Sequence, residues 1–151
     1  MEQLNGPQLF LRYAWPCAED KLRAGKISEE DFHRLEMLVK GRLIPPIKFL
    51  EHCFPNAVQK MREFAKPYIT AKLFNYWIVK TFWREHHSHE GDCAVVSAIV
   101  GHIGQLILVC DRKENIPVLN PYEIEIGIGD LVYVHRRVIC EKVEVQRHLK
   151  G

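Results

Sequence analysis

The hydrophobic period of this chain changes once, close to residue 85, and that change constrains the fold more than any other feature of the sequence. Before it, apolar residues recur at three- and four-residue intervals; beyond it they alternate. The first spacing is that of a helix face and the second that of a strand face, and one segment cannot satisfy both. The pattern predicts an α+β chain: a bundle of short helices over residues 1–85, a His-rich junction over 86–92 and a small OB-like five-stranded antiparallel β-barrel over 93–147.

Proline divides the first part. Six of the eight prolines precede residue 68, so the helices between them must be short. The clearest runs from Glu29 to about Lys40, with Ser28 as N-cap, Asp31 where a capping box needs a carboxylate and Gly41 as a left-handed exit. Its buried face is expected to be Phe32, Leu35, Leu38 and Val39. A second helix starts at Pro55 and runs to Lys66, with Val58, Met61, Phe64 and Ala65 on its core side. The stretch from Thr70 to Arg84 is apolar around too much of its circumference for a surface helix. Burial between the N-terminal helices and the barrel is the expected outcome; the sharper reading is an aromatic surface for a partner, because Trp and Tyr favour interfaces.

In the second part, apolar runs at Cys93–Val100, Leu106–Cys110, Leu131–His135 and Val138–Val145 read as strands, as does the strict alternation of Tyr122, Ile124, Ile126 and Ile128. Turn signals separate them at Gly101–Gly104, Asp111–Asn115, Gly129-Asp130 and Arg136-Arg137. Closing five short strands into a barrel would remove their exposed edges.

Charge narrows the function. The chain carries net charge +2, with 14 basic against 10 acidic residues up to Glu85 and 7 against 9 after it. A protein that binds through phosphates concentrates Lys and Arg in a stripe, so nucleic acid is disfavoured. Hydrophobic residues at 47% allow a packed core, and the longest apolar stretch, around Ala98–Val109, is broken by Gly101, His102, Gly104 and Gln105. It falls far short of the ~20 residues that a membrane span needs. Five cysteines with no CxxC pair suggest reduced thiols in the cytoplasm rather than a disulfide framework, and Cys17, Cys53, Cys110 and Cys140 read as small buried hydrophobes. A soluble cytoplasmic protein is expected.

Two places carry residues with chemistry. At the junction, His86, His87, His89, Glu90, Asp92 and Cys93 lie within eight positions, a set of donors that suits iron, zinc or nickel. The spacing matches no established zinc-finger pattern, and a solvated linker accumulates the same residue types. The second place is Gly129-Asp130-Leu131-Val132-Tyr133-Val134-His135, a turn feeding a strand that ends in histidine; Leu131, Tyr133 and His135 share one face, and a histidine at the end of such a face is ordinarily a packed or a rim residue, the rim position being the one that the functional reading needs.

A cysteine opening a first apolar strand, Cys93-Ala94-Val95-Val96-Ser97-Ala98-Ile99-Val100, and a later Gly-Asp-x-Val-x-Val-His strand at 129–135 together resemble the HypC/HupF family of hydrogenase-assembly chaperones. Val138–Val143 stands where that family has its following strand, and the likeness covers about two-fifths of the chain. It implies that Cys93 and His135 hold an iron atom carrying cyanide and carbon monoxide, for delivery to a hydrogenase large subunit with the help of a maturation partner. The family's cysteine follows the initiator Met, whereas Cys93 follows 92 residues, so no step using a free terminus transfers here. The resemblance implies an accessory factor and not an enzyme. Three other readings compete with it. One is an OB-like barrel that binds single-stranded nucleic acid or protein without metal, for which Tyr122 and Tyr133 are the aromatic platform. Another is a Cys93 nucleophile lacking an orienting third residue. The last is a plain interaction protein.

Overall fold

The computed structural model describes residues 4–68, 72–86, 95–103, 106–111 and 114–143, with backbone alone at 96, 102–103, 106–111 and 114. It divides into two compact units, Met1–Val95 and Val96–Gly151. Among the described residues no helix is long and apolar enough to cross a membrane.

The first unit holds α1 (Gly6–Ala14), α2 (Ala18–Arg23), α3 (Glu29–Lys40), α4 (Ile47–Cys53), α5 (Pro55–Ala65) and α6 (Tyr76–Thr81), the last running into a π-helical turn at Phe82–His86. Local bonds start these helices. At α1 the Asn5 side chain accepts from the Gln8 N–H at 2.9 Å while the Gln8 amide accepts from the Asn5 N–H at 3.2 Å. At α3 the Ser28 hydroxyl accepts from the Asp31 N–H at 3.0 Å and the Asp31 carboxylate accepts from the Ser28 N–H at 3.2 Å. Each cap satisfies donors that the helix cannot, typically worth ~1 kcal/mol. The exit of α3 differs from expectation. Gly41 keeps a right-handed φ of −83°, and Arg42 takes the left-handed position at φ 53°.

Large rings fill the core of this unit. Phe10 meets Phe54, Phe74 and Trp83 with centroids 6.1, 5.3 and 5.4 Å away, and Tyr13 stacks on Trp83 at 5.8 Å with planes 7° apart. Ring pairs in these geometries add about 0.5–1.5 kcal/mol beyond the area they bury. Such packing needs α1 to approach closely: a Cβ at Gly6 would overlap the Phe74 carbonyl, so only glycine fits there. On α3 the buried residues are Leu35 and Leu38, with Phe32 and Val39 half-buried. The aromatic stretch predicted from Thr70 to Arg84 splits by face. Ile78, Val79, Phe82 and Trp83 are buried, while Tyr76 and Trp77 are exposed. Trp83 finds its cover within its own unit, on Phe10 and Tyr13.

The second part is a sheet of β1 (Val95–Ile103), β2 (Leu106–Asp111), β3 (Glu114–Pro117), β4 (Leu131–His135) and β5 (Val138–Lys142), in the order β3-β2-β1-β4-β5. Its core is small and aliphatic: Ala98, Val100, Val118, Val132, Val134 and Ile139, with Ile116, Ile124 and Ile126 against it. The closed barrel is not formed. Among the described residues β3 and β5 are the two ends of an open sheet, and what joins their ends is a single parallel bridge, Leu119 to Val138, rather than a ladder. β3 is four residues long and ends at Pro117, which has no N–H to extend the pairing.

The alternating segment Tyr122–Ile128 is not a strand either. Its period holds for three of the four apolar positions, since Tyr122 is buried and Ile124 and Ile126 are half-buried while Glu123 and Glu125 are exposed, but Ile128 is 76% exposed. Side chains take the place of a partner strand. Asn120 both accepts from the Ile124 N–H at 3.1 Å and donates to the Ile124 carbonyl at 2.9 Å, and the Asp130 carboxylate accepts from the Gly127 N–H at 2.7 Å. Glu123, at φ 52°, breaks the extended run. β3 forms instead from Glu114–Pro117, part of which the sequence reads as turn.

The β4–β5 hairpin has a two-residue loop, since His135 pairs with Val138. Arg136 and Arg137 both hold left-handed φ, 51° and 64°. This is the primed turn that matches strand twist, and it favours Asn-Gly. For residues with a Cβ each such position costs about 1–2 kcal/mol.

Candidate docking site

The residues singled out for metal chemistry are distributed unevenly. Cys93, His87 and His89 lie outside the described residues. His86 is exposed and closes the π-helical turn, its ring stacked on Phe64 with centroids 4.4 Å apart. His135 ends β4 with 0% exposure, not at an open rim. The core face of β4 is Val132 and Val134, so His135 and Tyr133 fall on the opposite face, with Glu141, itself buried, paired to Tyr133. An iron carrier takes up and releases its cargo, which requires donors that the cargo can reach. Any such role for His135 therefore requires the end of β4 to open. Among the described residues no group of three or more His, Cys, Asp and Glu side chains is arranged to hold a metal ion.

The cysteines whose side chains are described form no disulfide. Cys53 and Cys140 are buried and Cys17 is half-buried; the Cys110 side chain is outside the described set. Burial pushes the Cys53 thiol up to about 12, with the nearby Asp31 carboxylate adding to the rise against Arg34 and Lys21. A thiol held that high supplies no thiolate near neutral pH. Asp31 itself is pulled two ways. Burial raises its pKa, but the Ser28 N–H, the His52 ring 2.9 Å away and the Ser28 hydroxyl together hold it below the ordinary carboxylate value. This His–Asp pair ties α4 to the start of α3 and lies among exposed groups, not in a cleft.

The surface with the most distinct chemistry is aromatic and lies on the helical unit. Phe64 and Tyr68 are four residues apart, at and just past the end of α5, and α6 brings Trp77 against both. Trp77 meets Tyr68 edge-on at 5.1 Å and stacks on Phe64 at 6.3 Å, while Phe64 meets Tyr68 at 5.9 Å. His86 also stacks on Phe64. Trp77 is 47% exposed and Tyr68 43%, so rings that brace one another still offer almost half their area to solvent. Centroids this close leave no gap between the rings for a cation, so the cluster is a contact face rather than a cage for a quaternary ammonium group. Beside it, Lys80 lies 5.5 Å over the Tyr76 ring.

Sequence reasoning reached half of this surface. Composition offers the stretch that holds Trp77 as a partner surface only as the alternative to burial, the helical period assigns Phe64 to the core, and the residue type of His86 suggests a metal donor. The signal that connects them is the four-residue spacing of Phe64 and Tyr68. On the other unit, Tyr122 is 7% exposed and Tyr133 half-buried, so the platform required for stacking single-stranded nucleic acid is not presented. A groove of about 480 Å³ also opens on the helical unit between Pro7, Ile47, Leu73 and Phe74, with the Glu51–Arg62 ion pair and Lys72 at its edge. No family model, curated protein or solved structure matches this chain.

Proposed function

We propose that this chain is an accessory, non-catalytic factor that docks a partner protein through the aromatic face of its helical unit. The observation that carries the reading is the mutual bracing of Phe64, Tyr68, Trp77 and His86 at a surface where Trp77 and Tyr68 remain nearly half-exposed. Exposed hydrophobic residues scattered singly need no explanation, but contiguous ones do. Rings held in place lose little freedom when a partner covers them, which is why Trp and Tyr dominate binding energy at interfaces.

The HypC/HupF resemblance supplies the narrower form of the same reading: a cytoplasmic metallocentre-assembly chaperone whose cargo is iron, whose client is a hydrogenase large subunit, and whose donors are Cys93 and His135. Zinc or nickel at His86, His87 and His89 is the variant of this form. Its support is the residue match at 93–100 and 129–135. The two levels are separable by experiment. Co-expression with the products of the adjacent genes, followed by purification of the complex, tests the docking reading. Trp77→Ala with Tyr68→Ala should weaken the complex at least ~30-fold, the effect of losing about 2 kcal/mol at an interface anchor. A complex of undiminished affinity would overturn it. Infrared bands of cyanide and carbon monoxide on the purified wild type, lost in Cys93→Ala and in His135→Ala, test the narrower form. Their absence from the wild type would remove iron carriage and leave docking standing.

A further inference from the structure

Positive charge in this chain is gathered around the aromatic face. Residues 55–86, which carry all four of its rings, hold six basic side chains and two acidic ones, Glu63 and Glu85, while the rest of the chain holds fifteen basic and seventeen acidic. With histidine neutral, a charge of +4 on this segment stands against −2 everywhere else. Two of the lysines flank the rings directly. Lys60 is exposed one turn before Phe64 on α5, and Lys80 follows one turn after Trp77 on α6, its ammonium 5.5 Å from the centroid of the exposed Tyr76 ring. Spacings of four and three put each lysine on the side of its helix that bears the ring. Arg62 is paired with Glu51 at 2.9 Å, but among the described residues no carboxylate pairs with Lys60, Lys66 or Lys80. An apolar centre rimmed by one sign of charge is the footprint of a partner that carries the opposite sign beside an apolar stripe.

We propose that the segment docked on this face is acidic and amphipathic: a length of partner protein whose apolar side chains cover Trp77 and Tyr68 while its Asp and Glu carboxylates face Lys60 and Lys80. This deepens the docking reading and rests on it. Aromatic rings beside lysines also suit single-stranded nucleic acid, but each base then needs an open ring face on which to stack. Here stacking is taken up inside the cluster: Phe64 is stacked by His86 and by Trp77, and Trp77 and Tyr68 are set edge to face. Carboxylates need only the field of the lysines, and an apolar stripe needs only the exposed ring area.

The test titrates the full chain with a fluorescein-labelled peptide that has leucine at three- and four-residue intervals and glutamate between, and with a twin that has glutamine in place of glutamate. Wild type should bind the glutamate peptide about tenfold more tightly than the twin at about 0.05 M salt, and the preference should shrink at about 0.5 M because exposed pairs are screened. Lys60→Glu with Lys80→Glu should erase that preference and keep the fold, since Lys and Glu have similar helix propensity. Lys26→Glu with Lys40→Glu makes the same change in net charge between α2 and α3 and at the end of α3, and should retain the preference. Trp77→Ala should weaken both peptides. The proposal is overturned if wild type binds the twin as tightly as the glutamate peptide, if the reversals at Lys26 and Lys40 erase the preference as fully as those beside the rings, or if a single-stranded oligothymidine displaces the labelled peptide better than unlabelled peptide does. A twin bound equally tightly and lost in Trp77→Ala leaves the docking face standing with a neutral partner. Binding of neither peptide also overturns the acidic partner, and the co-expressed complex then decides the docking reading by itself.

Discussion

The two units solve the same problem, excluding water from a core, with different material. In the helical unit a few large rings do most of the filling: Phe10, Tyr13, Phe54 and Trp83 are all essentially without solvent exposure. In the sheet unit the core is Ala, Val and Ile, and backbone hydrogen bonds join residues far apart in sequence, as from the Val100 N–H to the Asp130 carbonyl at 2.9 Å. Stability in the first is concentrated in side chains that are individually large; in the second it is spread over many small ones and over the ladder. A single truncation should therefore damage the two units unequally, although each loses a residue with almost no exposure.

Trp83→Ala is the most severe way to test this contrast. It removes a ring that contacts Phe10, Tyr13 and Phe82, and should cost about 3–5 kcal/mol. Urea unfolding followed by helical circular dichroism reads the loss directly. Val132→Ala, at the centre of the sheet core, should cost about 2 kcal/mol, since it deletes two methyl groups and leaves a small cavity. If the two variants prove equally destabilised, the difference in material does not translate into a difference in fragility. The smallest effect sharpens the local side of the comparison. Asp31→Asn weakens the α3 cap and should cost about 1 kcal/mol at neutral pH. Because the folded carboxyl is held below its unfolded pKa, its contribution is present above that unfolded value, near 3.9, and is lost as pH falls through the folded one. Wild type and variant should thus converge in acid. A gap that stays constant from pH 7 to below about pH 3 would show that the charge contributes nothing.

The same division decides what could be read from the chain in advance. The start of α3 was legible because a cap is a local sentence: Ser28 and Asp31, three residues apart, satisfy each other whatever the rest does. Its exit was misread by one residue, since Gly41 permits a left-handed turn without requiring it. In the sheet unit the limits are non-local. Alternation from Tyr122 to Ile126 reports one side turned to the core, a pattern that ends at the exposed Ile128 and needs no partner strand once Asn120 and Asp130 supply the bonds. Glu114–Pro117, polar and ending in proline, looks like a turn and becomes a strand because Leu106–Asp111 lies within pairing reach. Of the candidate site, composition marks the Thr70–Arg84 stretch as one that must be covered but does not say which of its rings stay outside, and a histidine at a strand end looks the same in sequence whether it is packed, as His135 is, or at an open rim.

The unequal placement of two tryptophans six residues apart has an optical consequence. Trp83 is packed between Phe10, Tyr13 and Phe82, shielded from anything dissolved in water, while Trp77 presents nearly half of its surface. An aqueous quencher such as iodide should extinguish the emission of one and spare the other, with Trp15 intermediate in access. Trp83 then serves as an internal standard: a ligand that settles on the aromatic face protects Trp77 from the quencher without altering the shielded fraction, and unfolding exposes both at once. The chain thus carries its own ratiometric signal for occupancy, with no label added.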